Sequence, residues 1–198
     1  MLLIIFVFWG VTLDSNLTFI NHANNLSSEI SPIIGILNRN KRNYTTKIRL
    51  MLYKSILLPK ITYALTCWYT DRNNIKTIIN KLHKRCLRTL TTHWTRSACI
   101  LKKFGLWSIH QQYLYNINKQ TKQIVEFNVN HPIHDYISQR NCTYIRLNMP
   151  KVTTSGYKKS TLYRRIKCFN NLPKSVLCNR KTNIESFNRI LCKIIDKG

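Results

Sequence analysis

The chain has 198 residues, among which 32 Lys and Arg outnumber only 7 Asp and Glu, so its formal net charge is +25. With 44% hydrophobic residues, a chain of this length can form a buried core, which argues against an intrinsically disordered protein. The acids are scattered, and even the closest two, Glu126 and Asp135, are separated by a His-Pro step. The sequence therefore offers no local carboxylate pair for acid–base or two-metal catalysis.

The excess positive charge predicts a polyanionic partner, nucleic acid first and an anionic membrane surface second. The 7 cysteines form an odd set without a CxxC pair. Such a set indicates reduced, mostly buried thiols in an intracellular chain, nuclear or cytoplasmic and not secreted. His83 and Cys86 are spaced to share one helix face, but no second pair lies nearby, so we expect no bound metal.

An apolar run extends from Met1 to Leu13 and is rich in β-branched and aromatic residues. It is shorter than the roughly 20 residues that a helix needs to cross a bilayer. It also lacks the basic segment and the small-residue cleavage site of a signal peptide. We therefore expect a buried strand that ends in a turn at Asp14, Ser15 and Asn16, with a signal segment as the alternative.

The body of the chain has the periodicity of helices. Apolar residues recur at three and four positions between residues 19 and 37, which predicts one long amphipathic helix that Pro32 kinks or splits. After a basic polar turn, Thr45 or Thr46 can cap a second helix, which Pro59 ends or bends. The positions of that helix expected to face the core are Ile48, Leu52 and Ile56.

The stretch that follows, residues 61–69, is almost entirely apolar. Its density of apolar side chains predicts burial on most sides, because too few polar positions remain to form a solvated face. We expect Cys67, Trp68 and Tyr69 to belong to the core rather than to a site.

Residues 73–90 predict a helix with two different faces. One stripe is apolar, and the adjacent stripe carries cations at the spacing i, i+3, i+4 and i+7. An ordinary solvated face would mix Glu with Lys, but no acid lies between Asp71 and Glu126. Because unpaired cations on consecutive turns repel one another, this pattern favours phosphates as their counter-charge. The cations, here named the basic ridge, are Lys81, Lys84, Arg85 and Arg88, and the apolar stripe is Ile75, Ile78, Ile79, Leu82, Cys86 and Leu90.

Residues 98–138 predict connecting helices, and residues 139–156 predict a basic loop. His131 and His134 interrupt the helical pattern and are expected to be turn residues rather than metal ligands. A last amphipathic helical unit covers residues 157–198, with Leu162, Ile166 and Phe169 expected inward and Lys158, Lys159, Arg164, Arg165 and Lys167 outward. Four of these cations join the basic ridge as candidate nucleic-acid-binding residues: Lys158, Lys159, Arg164 and Arg165.

A series of short motifs follows in a fixed order along the chain. They are WGVTLDSNLTF at residues 9–19 with His22 after it, GIL at 35–37, LYKSILLP at 52–59, YALTCW at 63–68, NKLHKRCLR at 80–88, FGLWSI at 104–109, FNNLP at 169–173 and SF at 186–187. The ordered set resembles the C-terminal part of reverse transcriptases from non-LTR retrotransposons, the LINE-type, jockey-like elements. In that family a strand closing the polymerase core leads into the thumb, and the resemblance covers nearly the whole chain. Two departures are Trp9, where the family usually has Leu, and Pro32 within a helix.

The resemblance implies a thumb and post-thumb fragment of an RNA-directed DNA polymerase. It implies a mainly α fold with a short N-terminal strand, a thumb-like helical bundle and a smaller C-terminal helical unit. The corresponding segments are 1–15, a remnant of the palm-end strand; 16–97, a thumb-like helical domain; 98–138, connecting helices; 139–156, a basic loop; and 157–198, a C-terminal helical unit.

The metal-binding aspartates of that family lie in the palm, before the segment represented here, and no acid of this chain matches them. The resemblance therefore implies a fragment that is not an enzyme on its own and binds no cofactor, although the parent family uses Mg²⁺. Its implied partners are a template–primer duplex or structured RNA, together with the palm and fingers of the polymerase, while a membrane partner is not favoured. Two other functions remain open: a free-standing basic RNA-binding or structural protein, and a membrane or secreted protein that uses the apolar N-terminus.

Overall fold

The structure, a computed structural model, describes residues 5–70, 73–127, 131–137, 146–152, 154, 157–173, 177 and 184–197. The predicted mainly α class is confirmed: helices dominate, and one two-stranded sheet lies near the N-terminus. The chain divides into two compact units, Met1–His110 and Gln111–Gly198. The division falls within residues 98–138, the segment that the sequence assigned to connecting helices.

The first unit begins with an antiparallel β-hairpin formed by β1 (Ile5–Phe8) and β2 (Val11–Asp14). Trp9 and Gly10 form its two-residue turn, with φ angles of 49° and 75°, the left-handed values that such hairpin turns require. The expectation of one buried strand is therefore wrong. The chain reverses at Gly10, which leaves the side chains of Phe6, Val7 and Phe8 exposed, and β2 packs against the helix that follows.

The helix α1 (Ile20–Asn40) continues through Pro32, so of the two predicted effects of that residue, a kink or a split, the split does not occur. A proline inside a helix removes one backbone hydrogen bond, and α1 remains helical across Pro32 with one side packed against its neighbours. Against it lies the shorter helix α5 (Asn73–Leu87), which a 3₁₀ turn at Arg88–Leu90 extends. The buried residues of α1 are His22, Ala23, Leu26, Ile30 and Ile34.

Between these two helices lie α2 (Thr46–Leu52), a π-helical turn (Tyr53–Leu57) and α3 (Leu58–Thr62). Thr45 caps α2 as predicted, since its hydroxyl accepts the backbone N–H of Ile48 at 3.4 Å. The expectation that Ile48 and Ile56 face the core is wrong, because both side chains are exposed. The π turn precedes Pro59, which lacks an N–H, and its extra residue rotates the inward face. The buried residues are instead Tyr53, Leu57 and Ile61.

The short helix α4 (Leu65–Trp68) follows a left-handed residue, Ala64. The indole N–H of Trp68 donates to the backbone oxygen of Tyr63 at 2.8 Å. Trp68 and Tyr69 are buried as predicted, but Cys67 is exposed, so the expectation that it belongs to the core is wrong. Cys99 is also exposed, whereas Cys86 is buried, so burial of the cysteines is only partial.

The first unit closes with α6 (Ser97–Phe104), which packs against α5 and ends at Gly105. The helix α7 (Ile109–Phe127) begins at the last residues of this unit. In the part of the chain that the structure describes, no helix combines the length and apolar character needed to cross a bilayer.

The second unit contains most of α7, a 3₁₀ helix at Pro132–Tyr136, a further 3₁₀ turn at Tyr157–Lys159, α8 (Thr161–Asn170) and α9 (Ile184–Lys197). His131 directly precedes the 3₁₀ helix Pro132–Tyr136 and His134 lies within it, in agreement with the predicted turn. Much of the predicted basic loop, namely residues 139–145, 153, 155 and 156, lies outside the described residues. The core of this unit includes Ile117, Ile133, Leu147, Ile166, Phe169, Phe187, Leu191 and Ile195.

Candidate nucleic-acid interface

The basic ridge occupies the solvent-facing side of α5. Its four side chains, Lys81, Lys84, Arg85 and Arg88, are all exposed. The opposite side of the helix packs into the core through Ile75, Ile79, Leu82 and Cys86, while Ile78 is half-buried. The burial of one stripe and the exposure of the other confirm the predicted division of this helix into a packed side and a cationic side.

A buried polar pair behind the ridge attaches α5 to the π turn. The Tyr53 hydroxyl and Nε2 of His83 lie 2.8 Å apart. Burial lowers the pKa of His83 to about 4, so the ring is neutral near pH 7. Burial also raises the pKa of the neighbouring Cys86 thiol to about 12. All the positive charge of this part of α5 therefore lies on its exposed side.

Hydrogen bonding orients one member of the basic ridge. Nη1 of Arg85 donates to the hydroxyl of Ser31 on α1 at 3.1 Å. None of the four ridge cations forms an ion pair within the described part of the chain. A row of cations without carboxylate partners repels itself, so an external polyanion would lower its electrostatic energy.

The second predicted cationic set, on α8, has a different structure. Lys158 is exposed, and the side chain of Lys159 lies outside the described residues. Arg164 and Arg165 are only half-exposed and point toward α7, so the expectation that they face outward is wrong. Nη1 of Arg164 donates to the Tyr113 hydroxyl at 3.3 Å, and Nη2 of Arg165 donates to Oε1 of Gln120 at 2.9 Å.

This placement of Arg164 and Arg165 follows from the length of the arginine side chain. Its aliphatic part covers apolar surface while its guanidinium reaches polar groups on a neighbouring helix. Periodicity alone assigns every arginine to the solvated side, so it cannot predict a contact between an arginine and a neighbouring helix. The two residues therefore stabilise the packing of α8 on α7, whereas Lys158 and Lys167 remain exposed on α8 and the turn before it.

Sequence reasoning also missed Lys122, a cation in the core of the second unit. Its side chain is only 2% exposed, and Nζ lies 2.6 Å from Oε1 of Glu126, one helical turn later. Nζ also lies 5.7 Å from the centre of the Phe187 ring. The i, i+4 spacing of a lysine and one of the few glutamates was the available signal, because such pairs meet on a helix surface.

The structure gives no support to metal binding by His83 and Cys86. Nε2 of His83 is engaged with Tyr53, and Cys86 is buried with a raised pKa. Nδ1 of His131 accepts the backbone N–H of Ile133 at 3.1 Å, as an N-terminal cap of the 3₁₀ helix. Among the described residues, no three His, Cys, Asp or Glu side chains are grouped so that they could hold a metal ion.

No family model matches the chain, and neither a curated protein nor a solved structure matches it. The resemblance to reverse transcriptases therefore depends on the motifs of this chain alone. A nucleic-acid interface is favoured by the charge and exposure of the helices of this chain.

Proposed function

We propose that this chain is the thumb-like part of a retrotransposon reverse transcriptase and that it holds template–primer nucleic acid by its phosphates. One observation carries the proposal: the basic ridge is exposed and lacks ion-pair partners in the described chain, while the opposite side of α5 is fixed in the core. From Lys81 to Arg88 the ridge extends about 10 Å along the helix axis. A duplex carries about six phosphates over that length.

Binding of this kind does not discriminate between base sequences. Lysine and arginine side chains that contact phosphates position a duplex, whereas contacts to base edges are needed to specify its sequence. A thumb needs the first property, because the primer end must be held whatever its sequence. The proposed place of action is inside the cell, in the nucleus or cytoplasm, where template and primer meet.

The chemistry of nucleotide addition is assigned to the palm and its Mg²⁺ ions, outside this chain. Asp14 lies in the motif that resembles the end of the palm, but its contacts agree with the assignment of catalysis to residues outside this chain. Its Oδ1 accepts the backbone N–H of Thr18 at 2.6 Å, and its Oδ2 accepts the Thr18 hydroxyl. The carboxylate is thus occupied in ordering the turn before α1, where it is not available as a metal ligand.

The exposed β-hairpin supports a further contact with the rest of a polymerase. Phe6, Val7, Phe8 and Trp9 expose between 64% and 77% of their surface. A cluster of large, exposed apolar side chains usually marks a contact with another protein surface. In the proposal, the hairpin packs against the palm and thereby positions the basic ridge beside the primer.

The proposal is tested by measuring the affinity for an RNA–DNA hybrid by fluorescence anisotropy over a series of salt concentrations. Replacing Lys81, Lys84, Arg85 and Arg88 together by Ala is expected to weaken binding at least about tenfold near 0.1 M salt. The magnitude of the slope of log affinity against log salt should decrease by up to about 3.6, because each of the four lost phosphate contacts removes about 0.9 released counterions. An unchanged slope and affinity would contradict the proposal.

A matched control removes the same charge from other exposed positions of the first unit. In it Arg42, Lys47, Lys54 and Lys102, all exposed, are replaced by Ala. This control should retain most of the salt slope. If it weakens binding as much as the ridge variant does, the affinity comes from diffuse net charge, and the ridge is not the binding surface.

A second measurement addresses catalysis. The purified chain, supplied with a primed RNA template, nucleotides and Mg²⁺, should incorporate no nucleotide, because the palm aspartates have no counterpart among its seven acids. An active reverse transcriptase serves as the positive control. Metal-dependent primer extension by this chain would overturn the proposed role.

A further inference from the structure

A cavity of about 160 Å³ lies on the first unit, between α2, the segment that follows the 3₁₀ turn at Arg88–Leu90, and α6. From the groups that line it, we infer that this cavity binds a single phosphate group. Its principal ligand is Arg49 of α2, supported by Lys103 of α6 and by threonine hydroxyls. The basic ridge contributes no residue to the lining, so this inference does not depend on the proposed function.

Arg49 is the strongest indication of a ligand. The residue as a whole is half-buried, and Nη2 of its guanidinium donates to the Thr46 hydroxyl at 3.0 Å. Nε and Nη1 are buried and make no hydrogen bond to any described residue. Buried donors of a charged group are costly to leave unpaired, and nearly all such groups in proteins have a partner. A guanidinium matches the oxygens of a phosphate in both charge and geometry.

The other lining groups favour the same anion. The hydroxyl of Thr91 is buried and likewise has no hydrogen-bond partner among the described residues. Lys103 and His93 are exposed at the rim, where Nζ of Lys103 lies 5.8 Å from the centre of the Phe104 ring. None of the described residues that line the cavity is acidic, so an entering anion meets no like charge.

Donors from separate segments suit a tetrahedral phosphate better than a planar carboxylate. Arg49, Thr91 and Lys103 come from three different segments of the first unit. Donors on separate segments can approach a tetrahedral anion from several directions. The apolar residues Leu90 and Phe104 contribute the remaining wall.

The inference is tested on the full chain with inorganic phosphate, followed by the broadening of its ³¹P resonance at constant ionic strength. We expect saturable binding by the wild-type protein. Replacing Arg49 by Met should raise the dissociation constant at least about tenfold, because a hydrogen bond to a charged group contributes about 1.5–3 kcal/mol. The matched control is Arg39→Met, an exposed arginine outside the cavity, which should bind as the wild type does.

Lys103→Met provides a second test if Arg49→Met does not fold, because Lys103 is exposed and its replacement leaves the core intact. It should weaken phosphate binding severalfold. The four-residue ridge variant should bind inorganic phosphate unchanged, which separates failure of this inference from failure of the proposed function. Absence of saturable binding, or equal losses in Arg39→Met and Arg49→Met, would overturn the inference.

The source of the phosphate is distinguished by two oligonucleotides that differ only in carrying a 5′-phosphate or a 5′-hydroxyl. Tighter binding of the phosphorylated strand, lost in Arg49→Met and retained in Arg39→Met, would support the site and identify a strand end as its ligand. Saturable inorganic phosphate binding with no preference between the two strands would support the site and identify free phosphate.

Discussion

Two histidines of the first unit, His22 and His83, show how burial changes the chemistry of single residues. Nδ1 of His22 accepts the backbone N–H of Thr12 at 3.3 Å, and its ring stacks edge-to-face on Trp68. Burial lowers the pKa of His22, although the nearby Glu29 opposes this effect, and it lowers the pKa of His83 to about 4. Both rings are therefore neutral members of the fold at pH 7.

The lowered pKa of His83 predicts a loss of stability in acid. In the unfolded chain this histidine binds a proton near pH 6.5, whereas in the folded chain it does so only near pH 4. The unfolded state thus gains protons first, and the free energy of unfolding should fall as the pH decreases between these values, by about 3 kcal/mol from this residue. Urea unfolding at several pH values between 7 and 4 measures this loss.

Replacing His83 by Gln removes the titration while keeping a group that can hydrogen-bond to Tyr53. The variant should therefore lose much of the pH dependence between pH 6.5 and 4. His93→Gln is the control, because His93 is exposed and should leave the pH dependence unchanged. Parallel pH curves for His83→Gln and the wild type would show that His83 is not the titrating group.

At the scale of elements, the two glycines Gly35 and Gly105 have opposite roles. Gly105 follows α6 with a φ of 58°. The N–H of Leu106 bonds to the oxygen of Leu101 at 2.9 Å, and that of Gly105 bonds to the oxygen of Lys102 at 3.4 Å, the pair of bonds typical of a Schellman motif. Gly35 lies inside α1, where a flexible residue weakens a helix.

These roles predict opposite effects of the same substitution. A methyl group added at either glycine meets no atom within 4 Å, so packing does not separate them. Gly105→Ala should lower the free energy of unfolding by about 1 kcal/mol, because alanine is strained at positive φ. Gly35→Ala should raise it by about 0.5–1 kcal/mol through higher helix propensity. Each variant is the control of the other in urea unfolding, and shifts of the same sign would contradict both assignments.

Elements differ in how far their sequence predicts them. The N-cap of α2 at Thr45 and the two-faced character of α5 depend on residues three or four positions apart, so local patterns predict them. The inward face beyond Leu52 depends on how the helix accommodates Pro59. A proline indicates a disturbance, but it does not determine that a π turn will precede it and shift the buried positions to Tyr53, Leu57 and Ile61.

At the scale of the whole chain, strong net positive charge occurs together with an exposed apolar hairpin. A net charge of +25 keeps copies of the chain apart in low salt. Salt screens this repulsion, since the Debye length is only about 8 Å at 0.15 M ionic strength. The hairpin surface then becomes free to associate.

We therefore expect self-association that increases with salt concentration and depends on the hairpin. Replacing Phe6, Phe8 and Trp9 by Ser should reduce it in sedimentation velocity experiments, because these side chains form the exposed apolar surface. The urea unfolding midpoint should change little, since the three side chains contribute little to the core. Trp94→Ser, which removes a tryptophan that is also 77% exposed but lies outside the hairpin, should leave self-association unchanged. Equal effects of the two variants would contradict a specific role for the hairpin.

The sequence by itself determined the mainly α class, the start of α2 to within one residue, at Thr45 or Thr46, and the basic ridge on α5, because each arises from neighbours within about one or two helical turns. Only the tertiary structure decided that the hairpin is exposed, that Arg164 and Arg165 pack against α7, that Lys122 is buried, and that Arg49 lines a cavity. These outcomes depend on which segments, far apart in the sequence, pack against one another in the fold. A periodic pattern shows which side of a helix is apolar, but not which polar side chains a partner helix covers.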